Sequence, residues 1–418
     1  MNSNDLHGLQ TPAHRGKASP PTSPQVRSHI IGHLRLRRKA ALLLLGLTTP
    51  PSPGFDFLGT PDAEETASFE RFWDGFTLYQ NRENPILQEF KLRGRYQGQY
   101  YDIDASQGSV SDWEDRRSRL GFDARLFDSR LEARLDFQSN DGFRDGYDGL
   151  VDAYVKWKAS DDIDITLGRT KPFIGYYDWL QSSNNQPTFE RSQIFNQLNI
   201  DRATGLTVEG RNPPFLWQVG LFSNSVDPDR NSFSHALGNF DASWSLSLGA
   251  GYDFSRSTGF ARNEVRLNWI HSDRDTDSNV LSRYEDVVSA TWWWQDGPWS
   301  LVTEAFYATG GQGSNGNVGG GYLLGTYDLI PKRLQLVGRC SVSHGDGPSS
   351  VRLQSRYESQ VTAARGDTYH ALYLGAQYFI HGDKLKLMAG GEYAKLSGGV
   401  PGTGYDGFTW LSGIRFSF

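Results

Sequence analysis

The chain holds one cysteine, two methionines and no apolar run long enough to cross a bilayer as a helix. The lone Cys340 excludes an intrachain disulfide framework and a cysteine-based metal cluster, and reads as an inert, buried small residue in a strand. The longest apolar run, Ala40–Leu45, falls far short of the ~20 residues of a transmembrane helix. Positive charge is outnumbered, with 42 Lys+Arg against 48 Asp+Glu. The first 54 residues take seven of those basic residues and one of the acids, so the remainder carries −12, and nucleic acid is not expected as a partner. Aromatics are abundant: 24 Phe, 19 Tyr and 12 Trp argue against a disordered chain. Together with 46 Gly and a mean hydropathy of −0.54, they describe a β-protein whose apolar residues are dispersed, as they are in a membrane-spanning barrel.

Three regions follow from composition. Residues 1–54 form a leader in which Arg35-Leu-Arg-Arg-Lys39 precedes Ala40–Leu47, the order of a secretory signal, although no A-x-A cleavage box follows. Residues 55–86 read as an acidic linker with room for one short helix. From residue 87 the pattern has period two, the signature of a strand with one apolar face. In Phe90–Tyr100, Phe90, Leu92, Tyr96 and Tyr100 oppose Lys91, Arg93, Arg95, Gln97 and Gln99. The same alternation recurs in sixteen segments, starting near residues 88, 115, 130, 150, 162, 203, 214, 243, 262, 285, 299, 320, 333, 369, 384 and 407. Connections after even-numbered segments are tight. Those after odd-numbered ones are mostly long and polar, including Ser139–Gly149 and Pro172–Asp201. A soluble sandwich has no reason to gather its long loops at one end, whereas an outer-membrane barrel does. Trp292, Trp294, Trp299, Tyr307 and Trp410 fall where an interfacial aromatic girdle would sit. The chain stops within an amphipathic strand on Phe418, as outer-membrane proteins do.

Several stretches make a more specific pattern: Phe90-Lys-Leu-Arg-Gly-Arg95, Asp152-Ala-Tyr-Val-Lys-Trp157, Ile163–Phe173, Glu190-Arg-Ser192, Leu374–Phe379, Lys384–Leu387 and Arg415–Phe418. Over roughly residues 87–418 the chain resembles the phosphate-selective porin family of O and P type. That resemblance implies an all-β, sixteen-stranded antiparallel transmembrane β-barrel of outer-membrane porin type. It also implies a homotrimer with its third loop folded inward to narrow the pore, here Pro172–Asp201. The regions then become a leader over 1–54, a periplasmic linker over 55–86 and the barrel over 87–418. The expected partners are outer-membrane lipid and small anions or small polar solutes, phosphate among them.

Selectivity in such a pore comes from charged side chains at its constriction. By strand parity, Lys91, Arg93, Arg95, Arg117, Arg119, Arg125 and Arg134 line the lumen and gather into one positive stripe. Over the whole lumen the count is fourteen basic residues, Lys384 among them, against ten acidic. Two readings of the stripe stand open: it draws anions, or it pairs with Asp123, Glu132 and Asp136 and braces the wall. Arg169, Lys171 and Arg191 lie at or in the third loop. The first two fall on the apolar phase and read as rim residues. Gly311–Gly316 spells G-x-G-x-x-G, but lacks the strand–helix setting of a dinucleotide site. No catalytic pattern, metal-ligand spacing or cofactor motif stands out. The sequence points to a non-enzymatic anion channel. A closed barrel of structural or adhesive role and a secreted carbohydrate-binding β-protein remain the alternatives.

Overall fold

In the computed structural model, residues 58–418 are described apart from 62, 180–181, 224–242, 274–282, 312–314, 355 and 400–403; the leader lies outside them. Sixteen long strands carry the fold: β1 Leu87–Ala105, β2 Gly108–Leu126, β3 Leu131–Asn140, β4 Asp145–Lys158, β5 Ile163–Thr170, β6 Ala203–Asn212, β7 Phe215–Ser223 and β8 Trp244–Asp253. They continue as β9 Arg262–Ser272, β10 Asp286–Asp296, β11 Trp299–Thr309, β12 Val318–Ile330, β13 Leu334–Gly345, β14 Thr368–His381, β15 Leu385–Ser397 and β16 Tyr405–Ser417. Each pairs antiparallel with its chain neighbours, and β16 returns to β1 with Gly407 opposite Ala105 and Ser417 opposite Arg95. The sheet closes on itself. Closure leaves no edge strand facing lipid, where an unpaired backbone group has no water to bond.

Alternation along the strands settles which face meets which solvent. Leu92, Leu120, Leu167, Leu206, Leu267, Leu323, Leu372, Leu374 and Leu387 all point outward and exposed. A water-soluble protein does not expose an apolar belt of this extent, and a lipid-facing wall requires it. Trp292, Trp299, Tyr307 and Trp410 lie on the same outer face. Cys340 is also on it, exposed rather than buried, because its position on β13 has outward parity.

The strand starts agree with the period-two reading to within a few residues, except for two. β2 begins at Gly108, not near 115, because β1 and β2 form a hairpin whose 19-residue arms are joined through Ser106 and Gln107. β4 begins at Asp145, so the outer connection expected over Ser139–Gly149 is mostly strand. In both cases polar residues occupy strand positions beyond the lipid band, where alternation no longer marks them. The linker contains a helix, α1 (Ala63–Asp74), with Glu64 and Glu65 in its first turn, where the helix dipole favours carboxylates. Glu65, Phe69 and Trp73 recur every four residues and form the face turned to the barrel. A short strand, Thr77–Gln80, then pairs with the start of β1.

Candidate pore and constriction

Cross-strand register sorts the predicted basic stripe into three tiers. At the short-turn end, Lys91 and Arg125 share Glu89 at 4.0 and 3.6 Å; both are well exposed, and such pairs add little. One step further in, Arg93 bonds Asp123 at 2.7 Å and Asp136 at 3.1 Å, while Arg134 bonds Asp123 at 2.8 Å and Glu132 at 3.1 Å. Gly121 sits between Arg93 and Asp136 in register and keeps that crossing open: a Cβ there would lie 2.3 Å from Asp136 Oδ1. The third tier is different. Arg95 stands directly opposite Arg119, and Arg117 opposite Gln97. Their partners are neutral: Arg95 donates to Ser182 and Ser183, Arg117 to Gln97 Oε1 at 2.7 Å, and Arg119 to Gln138 Oε1 at 3.0 Å. Like charges directly opposed across a sheet are unfavourable. Among the described residues none of the three makes an ion pair with a carboxylate; Asp136, Asp152 and Glu190 act on them only from a distance.

Sequence parity missed Arg116. A bulge lets Gln97 pair with Arg117 and Gly98 with Asp115, so the extra residue, Arg116, also turns inward. It grips Glu190 through both carboxylate oxygens. Burial alone would raise the Glu190 carboxyl, but Arg116 beside it holds it well below the ordinary carboxylate range.

Glu190 belongs to the segment between β5 and β6, which folds into the barrel. Gly175, with φ 71°, opens helix α2 (Gly175–Trp179) where a side chain would strike Glu304, and the next N–H, of Tyr176, donates to that carboxylate at 3.1 Å. Tyr176 also meets Trp293, which points inward from β10. Helix α3 (Gln193–Leu198) follows and ends on Asn199 in a left-handed conformation. Gln193 and Gln197, one turn apart, bind the loop before β14 through Arg352 O and Ser350 O. Ile174, Phe189, Ile194, Phe195 and Leu198 pack with Phe306, Tyr322 and Tyr369 into an apolar mass inside the barrel. On the far wall Arg339 bonds Tyr177, Glu190 O and Glu392, and Arg415 stacks on Phe189. The loop therefore fills the lumen against β11–β16 and leaves space against β1–β6.

That space is a cavity of about 540 Å³. Of the predicted stripe it brings together Arg93, Arg95, Arg117, Arg119 and Arg134; Lys91 and Arg125 lie outside it. Of the predicted rim residues, Lys171 and Arg191 line it from the loop, with their cationic groups 5.7 and 4.9 Å from the centre of the Phe195 ring. Arg169 does not line it. It is buried on the outward phase of β5, and its Nε–H donates to Leu150 O at 3.3 Å. Lys384, counted with the lumen, sits instead at a short turn beside Glu70 at 3.6 Å.

Comparison with known proteins agrees with this architecture. A curated, uncharacterized protein of Caulobacter vibrioides is 26% identical over 239 residues, 55% of this chain and 46% of that protein; the chain thus spans about half the length of the curated relative it matches. Among solved structures, OprB of Pseudomonas putida is 15% identical with a TM-score of 0.56, covering 79% of this chain and 94% of that one. An anion-selective porin of Comamonas acidovorans is 12% identical with a TM-score of 0.53, covering 79% and 99%. OmpF of Salmonella typhi is 13% identical with a TM-score of 0.57, covering 82% and 100%. These likenesses show the barrel fold. The profile of the phosphate-selective porin O and P family matches residues 90–395, so the chain, an outer-membrane β-barrel, belongs to that family.

Proposed function

We propose that the chain is a passive diffusion channel for small anions, with Arg95, Arg117 and Arg119 as its anion-attracting wall and Lys171 and Arg191 as the loop side of the constriction. The observation that carries this reading is the Arg95–Arg119 pair, directly opposed at the edge of a cavity and in no ion pair with a carboxylate among the described residues. An anion passing there relieves their mutual repulsion. It is released again because it exchanges one set of guanidinium groups for the next, the weak multi-site binding that conduction needs. Arg93 and Arg134 take the other role left open by the sequence: their charge is spent on Asp123, Asp136 and Glu132, and they brace the wall. The guanidinium fork suits phosphate oxygens, and phosphate is the solute in the family's description. The family resemblance further suggests a homotrimer, reached by export through the signal-like leader.

The test is the double variant Arg95→Gln/Arg119→Gln in a planar bilayer under a potassium chloride gradient. Its reversal potential is expected to move toward cation selectivity, with single-channel conductance largely kept. An unchanged potential would remove these residues from the selectivity of the pore. One observation favours a second reading, a closed barrel: the apolar mass contributed by the inward loop on the β11–β16 side. Absence of any conductance from folded protein would favour it.

A further inference from the structure

The barrel seam, where β16 meets β1, is covered by the segment that precedes the barrel. β1 starts eight residues before its register with β16 begins at Arg95, so without further cover Leu87–Arg93 would present an open edge on that side. Thr77–Gln80 fills the edge: Thr77 pairs with Lys91, Tyr79 with Phe90 and Gln80 with Glu89, antiparallel to β1 as β16 is. The Leu92 N–H donates to Phe76 O at 2.9 Å, next to the point where Gly94 and Phe418 exchange two backbone hydrogen bonds of 3.2 and 3.0 Å. The short strand thus continues the line of β16 below its last residue. Side chains join the two pieces. Phe76 stacks on Phe418 with ring centres 3.8 Å apart, and Phe418 lies over Gly94, where any Cβ would come within 2.0 Å of the ring. Trp73 donates its indole N–H to Ser417 O at 2.7 Å. Helix α1 is itself held to the short turns: fully buried Arg333 bonds both Glu65 oxygens at 2.8 and 2.7 Å, and Glu70 lies 3.5 Å from His381.

We propose that residues 65–80 are a latch on the barrel seam, whose contacts with Phe416, Ser417 and Phe418 form only once β16 has closed on β1 and slow re-opening of the barrel. Every contact of the latch with Ser417 and Phe418 requires the last strand to be in place. The latch therefore acts on the rate of unfolding and leaves the rate of folding alone. It does not depend on what the pore conducts, so it can fail or stand independently of the anion reading.

The test is the double variant Trp73→Ala/Phe76→Ala in the full chain, folded in detergent, with unfolding followed at fixed temperature by the gel mobility shift between folded and unfolded barrel. Loss of the Phe76–Phe418, Trp73–Phe416 and Trp73–His381 ring contacts and of the Trp73–Ser417 hydrogen bond is expected to speed unfolding at least about tenfold, with single-channel conductance unchanged. Arg71→Ala, an exposed change on the same helix, is expected to leave the rate alone. Should the double variant not fold, Trp73→Phe keeps an aromatic ring, deletes the N–H donor with part of the indole's area, and is expected to speed unfolding severalfold. Unfolding at the wild-type rate would overturn the proposal. So would an unchanged rate with altered conductance, which would make the segment a plug.

Discussion

The arginines of one stripe do different work because of what stands opposite each of them. Arg93 is ion-paired with two aspartates, whereas Arg119 makes no ion pair among the described residues. Two variants of the same chemistry should therefore diverge. Arg119→Gln is expected to lower anion selectivity with little loss of stability. Arg93→Gln leaves Asp136, nearly buried, short of its partner, and is expected to cost about 1–3 kcal/mol with little change in selectivity. Thermal unfolding and reversal potential, measured on both, check the division. Gly121→Ala tests the same wall from the backbone: its Cβ would lie 2.0 Å from Leu135 O, which predicts about 1–3 kcal/mol of destabilisation from overpacking. Parity alone placed Arg93, Arg95, Arg117, Arg119 and Arg134 on the lumen. It did not separate bracing from free cations, because that depends on which strand lies beside which and in what register. Arg116 escaped it for a related reason. A bulge changes the phase of a strand by one residue, and nothing in Asp115-Arg-Arg117 marks the point where that happens.

At the scale of elements, the constriction loop is held by a few charged contacts on top of its apolar packing. Arg116, which lines the cavity, pairs with Glu190 of the loop. Removing one partner of a buried pair costs about 3–5 kcal/mol locally, so Glu190→Gln is expected to loosen the loop, raise single-channel conductance and broaden its distribution. The depressed Glu190 carboxyl adds loop stability that is fully present above its ordinary value of 4.5 and is lost as the pH falls through the lower native value. Wild-type conductance should accordingly hold from neutrality down to that ordinary value and become noisy only in stronger acid. Glu358, in the loop before β14, has the opposite sign. Burial, with Glu392 nearby, pushes its carboxyl up to about 8, while Tyr369 O–H and the Gln354 N–H donate to it. Its contribution is complete below 4.5 and is lost as the pH rises through about 8. Protection of residues 354–361 against hydrogen exchange, relative to the unfolded-chain rate at each pH, should therefore fall from mildly acid to alkaline pH in the wild type and lose that dependence in Glu358→Gln. The strands were legible because one lipid face and one watery face force period two. Helices α2 and α3 were not, since a loop packed inside a barrel is apolar on several sides and carries no single period. Gly175 and Asn199, whose left-handed conformations bound these helices, and Ser192 at the N-cap of α3 are the local signals among the described residues.

For the whole molecule, a closed sheet separates an apolar belt from a lumen that is half filled and half basic. Closure, strand number and the outer-membrane setting could be read from alternation, loop lengths and the terminal Phe418. The asymmetry of the lumen could not, because it arises where the loop after β5 meets β11–β16, more than a hundred residues away in sequence. Under the proposed function, that asymmetry leaves the wall of β1–β6 as the side along which solute passes, with its cations as the determinants of what passes. The most direct measurement is the single-channel reversal potential of the wild-type protein across a potassium chloride gradient. Discrete conductance steps with an anion-selective potential are the predicted result. A cation-selective potential would contradict the account, since the carboxylates of the lumen, rather than Arg95, Arg117 and Arg119, would then control the constriction.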